Sequence, residues 1–203
     1  MNFTESVTLA GEYAKLEPLS LAHHDELVEA VQDGDIWKLW FTSVPSPAMM
    51  RSEIERRLDL QRSGSMLPFT VRRLDTGKAC GMSTYMNVDA ARRRVEIGST
   101  WYAASAQRTA INTECKLLLL AHAFNTLDCI AVEFRTNRMN HRSRAAIERL
   151  GAKQDGILRN VYKLDDGSYH DGVVFSIIDH EWPTVRRHLV NQLEAKRGNA
   201  QGG

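Results

Sequence analysis

The sequence predicts a mixed α/β fold: one mixed, mostly antiparallel central sheet with helices on both faces. Three observations predict it. Short runs of alternating apolar and polar residues follow one another across tight turns such as Asp75-Thr76-Gly77, the mark of antiparallel neighbours. One long apolar segment, residues 107–126, lies between two strand-like runs and makes a β-α-β crossover. Amphipathic stripes at helical spacing occur both before and after the strands.

Each element has its own reason. Residues 7–19 alternate around Gly11 and read as a short hairpin or an extended strand. Ser20 is a candidate N-cap for the next segment, where Leu21, Leu27, Val28 and Val31 form an approximately helical stripe. Trp37, Trp40 and Phe41 crowd a less regular stretch. Pro47 opens a second helix, with Met50, Ile54 and Leu58 on one face and charges on the other. Residues 69–74, 80–88 and 95–102 are three strands in succession. The helix of residues 107–126 contains Lys116-Leu117-Leu118-Leu119-Leu120, apolar nearly all round beyond the lysine, which predicts burial. Residues 130–134 form a short buried strand, and residues 141–150 an amphipathic helix that Gly151 stops. Residues 157–164 and 173–178 form a last hairpin across Asp165-Asp166-Gly167-Ser168, and residues 180–193 a terminal helix. One domain over residues 1–195 is expected, with a polar, Gly-rich tail at 196–203.

Composition narrows the function classes. Hydrophobic residues make up 43% and charged residues 25% of the 203, an ordinary globular balance that excludes a disordered chain. The formal net charge of +1 implies no general attraction to nucleic acid or to an anionic membrane. Three cysteines, Cys80, Cys115 and Cys129, match no zinc spacing and lie in apolar stretches, so buried reduced thiols in a cytoplasmic protein are expected, with no metal. Residues 1–20 have no signal-peptide pattern, and no apolar run reaches the length of a membrane span.

Two segments carry chemistry. In the first, a strand ends near Tyr102, a short loop follows, and a helix begins near Gln107. Backbone amides in the first turn of a helix have no intrahelical acceptor and carry partial positive charge, so this junction is an anion site suited to a pyrophosphate; every β-α unit offers such a junction, so taken alone an ordinary helix start is the stronger reading. In the second, Asn140 and Ser143 are one helical turn apart and can face one way; Asn140 is also a good N-cap.

Together these segments resemble the GNAT superfamily of acyl-CoA N-acetyltransferases. The window of the family's phosphate motif, Gln/Arg-x-x-Gly-x-Gly/Ala, reads Gln107-Arg108-Thr109-Ala110-Ile111-Asn112 here, with Ala110 replacing the motif glycine and Asn112 the Gly/Ala position. Its Asn-x-x-Ser pattern leading into Leu-Gly is matched by Asn140-His141-Arg142-Ser143 and Leu150-Gly151. Ala110 and Asn112 stand where the family has small residues, and glycine there allows close backbone approach to phosphate. The element order fits as well, over roughly residues 7–182. Residues 96–107, the final hairpin and Ile177-Ile178-Asp179-His180-Glu181-Trp182-Pro183 are most similar to the ribosomal-protein N-terminal acetyltransferase branch, the RimJ/RimL-like proteins.

The resemblance implies acetyl transfer from acetyl-CoA to a primary amine, with a protein N-terminal α-amine first and a small-molecule amine second. It implies that Ser99, Thr100 and Trp101 meet the pantetheine and the thioester carbonyl. Gln107, Arg108, Thr109, Ala110, Ile111, Asn112 and Thr113 would cradle the pyrophosphate. Asn140 would bond pantetheine, and Ser143 would sit near the sulfur. Glu96 is the candidate base; a surface strand charge beside Arg92-Arg93-Arg94 is the alternative. Ser143, or less directly Tyr162, is the candidate proton donor to the leaving thiolate. Trp37, Trp40 and Phe41 either line a substrate mouth or pack in the core. A non-catalytic CoA-binding module and a nucleic-acid- or ribosome-associated binding protein using Arg92-Arg93-Arg94 and the arginines of residues 135–149 are the rival classes; a homodimer is an open possibility.

Overall fold

The computed structural model describes residues 2–164 and 167–201, excepting the side chains of residues 199–201. Eight strands form one sheet in the order β1-β2-β3-β4-β5-β6-β8-β7. They are β1 Leu9–Ala10, β2 Ala14–Pro18, β3 Leu67–Arg73, β4 Ala79–Asp89, β5 Arg94–Tyr102, β6 Ala131–Asn137, β7 Lys153–Lys163 and β8 Tyr169–Ile178. All pairings are antiparallel except β5 with β6. The fold class read from the sequence is the one observed.

The helices are α1 His24–Gln32, α2 Met50–Arg62, α3 Ile111–Asn125, α4 His141–Arg149 and α5 Trp182–Gln201. On one sheet face, Leu27, Val31, Met50 and Ile54 of α1 and α2 pack with Met82 and Trp101. On the other, Cys115, Leu119, Leu120 and Ala123 of α3 meet Phe69, Tyr85, Ile97 and Phe134, and Trp182, Val185 and Leu189 of α5 close the layer. Each of the three cysteines is a buried free thiol, and burial pushes all three up to about 12.

The elements follow the sequence closely, with physical reasons where they differ. Ser20 does cap, but it caps a single 3-10 turn, Leu21–His23, that leads into α1. Pro47 likewise opens a 3-10 turn before α2. α3 starts at Ile111 instead of near Gln107: Arg108 has φ +62°, and the Thr109 hydroxyl accepts from the Ile111 N–H and donates to the Ala106 carbonyl, which builds a turn ahead of the helix. α5 continues through Gln201, past the expected tail boundary at 196. Its end is held by Lys196, which donates to the Thr109 carbonyl, and by an ion pair of Arg197 with Glu12. Gly202, Gly203 and the Asp165-Asp166 part of the predicted turn lie outside the described residues.

The face of α2 holds one surprise. Arg57 lies on the apolar side that Met50 and Ile54 define and is only 2% exposed. It pairs with Glu53 (Nε to Oε1 2.7 Å) and donates through Nη1 to Thr84 Oγ1 (2.7 Å) and the Ser99 carbonyl (3.2 Å).

Candidate active site

The site begins where two parallel strands part. β5 and β6 are paired only from Arg94↔Ala131 to Glu96↔Glu133. From Ile97 onward the β6-facing edge of β5 has no strand partner among the described residues, so its backbone groups are open to a ligand. The β4–β5 register also slips between Met82 and Thr84, opposite Ser99, whose φ is +47°. This bulge re-aims the backbone just where the strands separate. Arg57 holds the outer side of the bulge through the Ser99 carbonyl.

The parting opens a cleft of about 910 Å³ that reaches both faces of the sheet. Its walls bring together Ser99, Thr100 and Trp101 of β5, Gln107, Arg108 and Asn112 of the α3 junction, and Asn140 and Ser143 of α4. Thr109, Ala110, Ile111 and Thr113 do not line it with side chains: Ala110 and Ile111 are buried in the layer beneath, and Thr109 is spent on the turn. What this segment presents to the cleft is backbone. The first bond of helical spacing runs from the Glu114 N–H to the Ala110 carbonyl, so the Asn112 and Thr113 amides have no backbone acceptor among the described residues.

The α3 N-terminus is pinned from behind. Glu114, in its first turn, accepts from the backbone N–H groups of Glu12 (2.7 Å), Tyr13 (2.7 Å) and Ala14 (2.8 Å) at the β1–β2 turn. Gly11 is required there, because a Cβ would overlap the Glu114 carboxyl group. Around the cleft mouth, Arg108, Arg142 and Arg149 have no carboxylate partner among the described residues. Free amides and unpaired guanidiniums together fit a ligand with several phosphate charges.

Asn140 caps its helix and also lines the cleft. Its side-chain oxygen caps α4 by accepting from the Ser143 N–H (3.0 Å), and its amide NH₂ remains free at the cleft wall.

Glu96 is placed differently. It is 5% exposed and faces a separate cavity of about 130 Å³, lined also by Asn87, Arg135, Val161 and Tyr162. Arg135, Val161 and Tyr162 line the large cleft too, so they form the partition between the two. Asn87 Nδ2 donates to Glu96 Oε2 (2.7 Å), and Arg135 Nε lies 3.4 Å from the same oxygen. Burial outweighs both and raises the Glu96 carboxyl above the usual range. Burial also raises the Tyr162 phenol. The Glu96 carboxylate is thus a buried group one side chain away from the cleft.

Trp40 and Phe41 line the cleft on the α2 side, with Thr42, Ser43 and Val44. Trp40 meets His170 of β8 at 5.1 Å between ring centroids, so the loop before α2 and the β7–β8 hairpin touch across that opening. Trp37 does not line the cleft and packs against the α1–α2 layer. The Arg92-Arg93-Arg94 run is neutralised residue by residue, by Asp89, Asp128 and Glu133.

Residues 14–153 match the family model described as Acetyltransferase (GNAT) domain. This chain belongs to the GNAT acetyltransferase family. A relative from Bacillus subtilis (strain 168), named "Putative ribosomal N-acetyltransferase YdaF", is 33% identical over 106 residues; the match spans 52% of this chain and 57% of that protein. Among solved structures, a GCN5-related N-acetyltransferase from Brucella melitensis superimposes with a TM-score of 0.82 at 28% identity, covering 93% of this chain and 86% of that one. RimJ of Mycobacterium smegmatis, in complex with CoA-disulfide, shares the fold at TM-score 0.79 and 22% identity, over 95% of this chain and 97% of that one. A RimL ribosomal L7/L12 α-N-protein acetyltransferase shares it at TM-score 0.75 and 18% identity, over 85% and 94%.

Two buried cations lining the GNAT cleft escaped the sequence reading: Arg57 and Lys116, both nearly inaccessible. The signal was present for each. Arg57 stands one turn from Ile54 on the inward face of its helix, and Lys116 is the one cation in an otherwise apolar helical run.

Proposed function

We propose that this chain transfers an acetyl group from acetyl-CoA to a primary amine, with a protein N-terminal α-amine as the preferred acceptor. One observation carries the reading: the edge of β5 is unpaired beyond Glu96, beside a cleft that runs from the open amides of α3 to the α2 face of the sheet.

When bound, acetyl-CoA supplies an acyl carbonyl activated as a thioester. The Asn112 and Thr113 amides, with Gln107 and Arg108 beside them and the backbone of Thr109, Ala110 and Ile111 beneath, suit its pyrophosphate. The β5 edge at Ser99, Thr100 and Trp101 offers backbone groups to pantetheine and an N–H to polarise the carbonyl. Asn140 contributes its free NH₂. Ser143, half-buried on the α4 wall, is the candidate donor to the leaving sulfur; Tyr162 stands in the partition as the second candidate.

An amine must lose a proton to attack. Glu96 is the proposed base, reached across the partition through Tyr162 or water, with Arg135 beside it as a fixed positive charge. Its raised affinity for a proton makes it a better acceptor near neutral pH than an exposed carboxylate. The name of the Bacillus subtilis relative supports a protein N-terminus as acceptor. The Trp40–His170 contact narrows the acceptor side and favours a small amine as second reading.

The test is thermal unfolding with and without acetyl-CoA, on the natural chain and on Asn112→Asp. A carboxylate at that position sits favourably in the first turn of α3, so the variant keeps its own stability. It opposes a pyrophosphate. At about a hundred times Kd, acetyl-CoA should stabilise the natural chain by about 2.7 kcal/mol and the variant by little. Release of free thiol in the presence of candidate amines then ranks acceptors. No stabilisation of the natural chain at millimolar acetyl-CoA would overturn the reading.

A further inference from the structure

Lys116 is a primary amine built into the wall of the cleft. It rises from α3 towards the sheet, 6% exposed. Its Nζ donates to Thr100 Oγ1 at 3.0 Å and lies 3.5 Å from Ser83 Oγ. The two hydroxyls bond each other at 2.8 Å, so the amine is held by a small uncharged network on β4 and β5. No carboxylate among the described residues pairs with it; the neighbouring Cys115 thiol is its one ionisable influence. A buried ammonium without a counter-ion is an expensive way to fill a helix–sheet interface, where methionine would serve. Burial accordingly brings its pKa down to about 8. At pH 7 about a tenth of the amine is then neutral, against about three in ten thousand for an ordinary lysine.

Thr100 ties this amine to the acyl donor. It supplies the hydroxyl that holds Nζ, and its backbone belongs to the unpaired β5 edge beside the bulge, where the proposed acetyl-CoA mode puts the thioester carbonyl. Amine and carbonyl share one residue as anchor.

We propose that Lys116 is an internal acetyl acceptor, modified by the acetyl-CoA bound in its own cleft when no external amine intervenes. The inference rests on the acetyl-CoA reading above. The neutral Nζ attacks the thioester carbonyl carbon and an N–C bond forms. The C–S bond breaks and its electron pair leaves with sulfur. The thiolate takes the proton shed by Nζ. The products are Nε-acetyl-lysine and CoA, with no further reactant. The modification removes the charge on Lys116 and places an acetamide in the cleft wall, so it slows later turnover.

The experiment uses the full chain with millimolar acetyl-CoA and no acceptor, followed by intact mass and a proteolytic map, with thermal unfolding run in parallel. The expected result is one added acetyl group at Lys116, gained at least tenfold faster than at the exposed Lys38 and Lys78. That order should vanish in the denatured chain. Lys116→Arg, which keeps the charge, should not gain the group, and Asn112→Asp, whose Lys116 is intact, should gain it far more slowly. Stabilisation by acetyl-CoA with Lys116 unmodified overturns this proposal alone. Neither stabilisation nor modification overturns it together with the cofactor reading.

Discussion

Glu114 offers the most direct test of how this fold builds its anion site. Its carboxylate is 5% exposed and accepts three backbone N–H bonds of 2.7–2.8 Å from the β1–β2 turn. Glu114→Ala removes the acceptor of three N–H groups, one of them, on Ala14, buried and the other two part-buried. A hydrogen bond to a charged group is worth about 1.5–3 kcal/mol, and unsatisfied buried donors cost about 1–3 kcal/mol each. The removed carboxylate also loses its desolvation cost, and the turn can relax, so the net loss is about 3–5 kcal/mol. For a chain of this size that corresponds to a fall in Tm of roughly 6–20 °C. The assay is urea unfolding of a four-member cycle: natural, Glu114→Ala, Gly11→Ala and the double variant. Gly11→Ala forces the Glu114 carboxylate aside, so it should be costly alone and nearly silent once Glu114 is alanine. The single Glu114→Ala variant should also bind acetyl-CoA more weakly, because the helix whose amides are proposed to meet the phosphates is no longer held against β2. Equal cost of Gly11→Ala in both backgrounds, or a loss below about 1 kcal/mol for Glu114→Ala, would refute the reasoning.

Further predictions follow from the cleft. Because burial raises Glu96, the acid limb of kcat/KM should lie above the usual carboxylate range, and Glu96→Gln should flatten it while lowering kcat. The same shift has a stability sign: the folded chain holds the Glu96 proton more tightly than the unfolded chain, so the charged form destabilises at neutral pH. That penalty is relieved as pH falls through the raised pKa, and Glu96→Gln should therefore raise Tm at pH 7, read by calorimetry. Arg57→Met removes a buried guanidinium, but Glu53 keeps Arg56 as partner (2.7 Å), so the stability loss should be about 1–3 kcal/mol by denaturant unfolding. It should also raise the KM for acetyl-CoA, because the Ser99 carbonyl at the bulge loses its donor.

Much of the fold was legible because it is written locally. Alternation marks β3, β4 and β5, Gly151 stops α4, and the apolar run around Leu117 to Leu120 marks α3, all within one or two turns of chain. Asn140 and Ser143 were legible as a pair for the same reason, one helical turn apart at the start of α4. Other features were not local. The start of α3 moved to Ile111 because Arg108 takes a left-handed conformation in a turn closed by the Thr109 hydroxyl. Glu96 shares a strand with the cleft residues, yet the pleat and the β7–β8 hairpin turn it into a neighbouring cavity behind Tyr162 and Arg135.

The division has a physical basis. The order and type of elements, the strand–loop–helix junction and the family's motif window at residues 107–112 could be read from the chain alone. These depend on periodicity, turn chemistry and hydrogen bonds between near neighbours. Only the tertiary structure decided that β5 and β6 part after Glu96↔Glu133, that Ser99 bulges against Arg57, that Glu114 anchors α3 to a turn about a hundred residues away, and that Lys116 meets Thr100. Strand register and the burial of a lone charge are set by which distant segments pack together, and no local pattern encodes the distance between them.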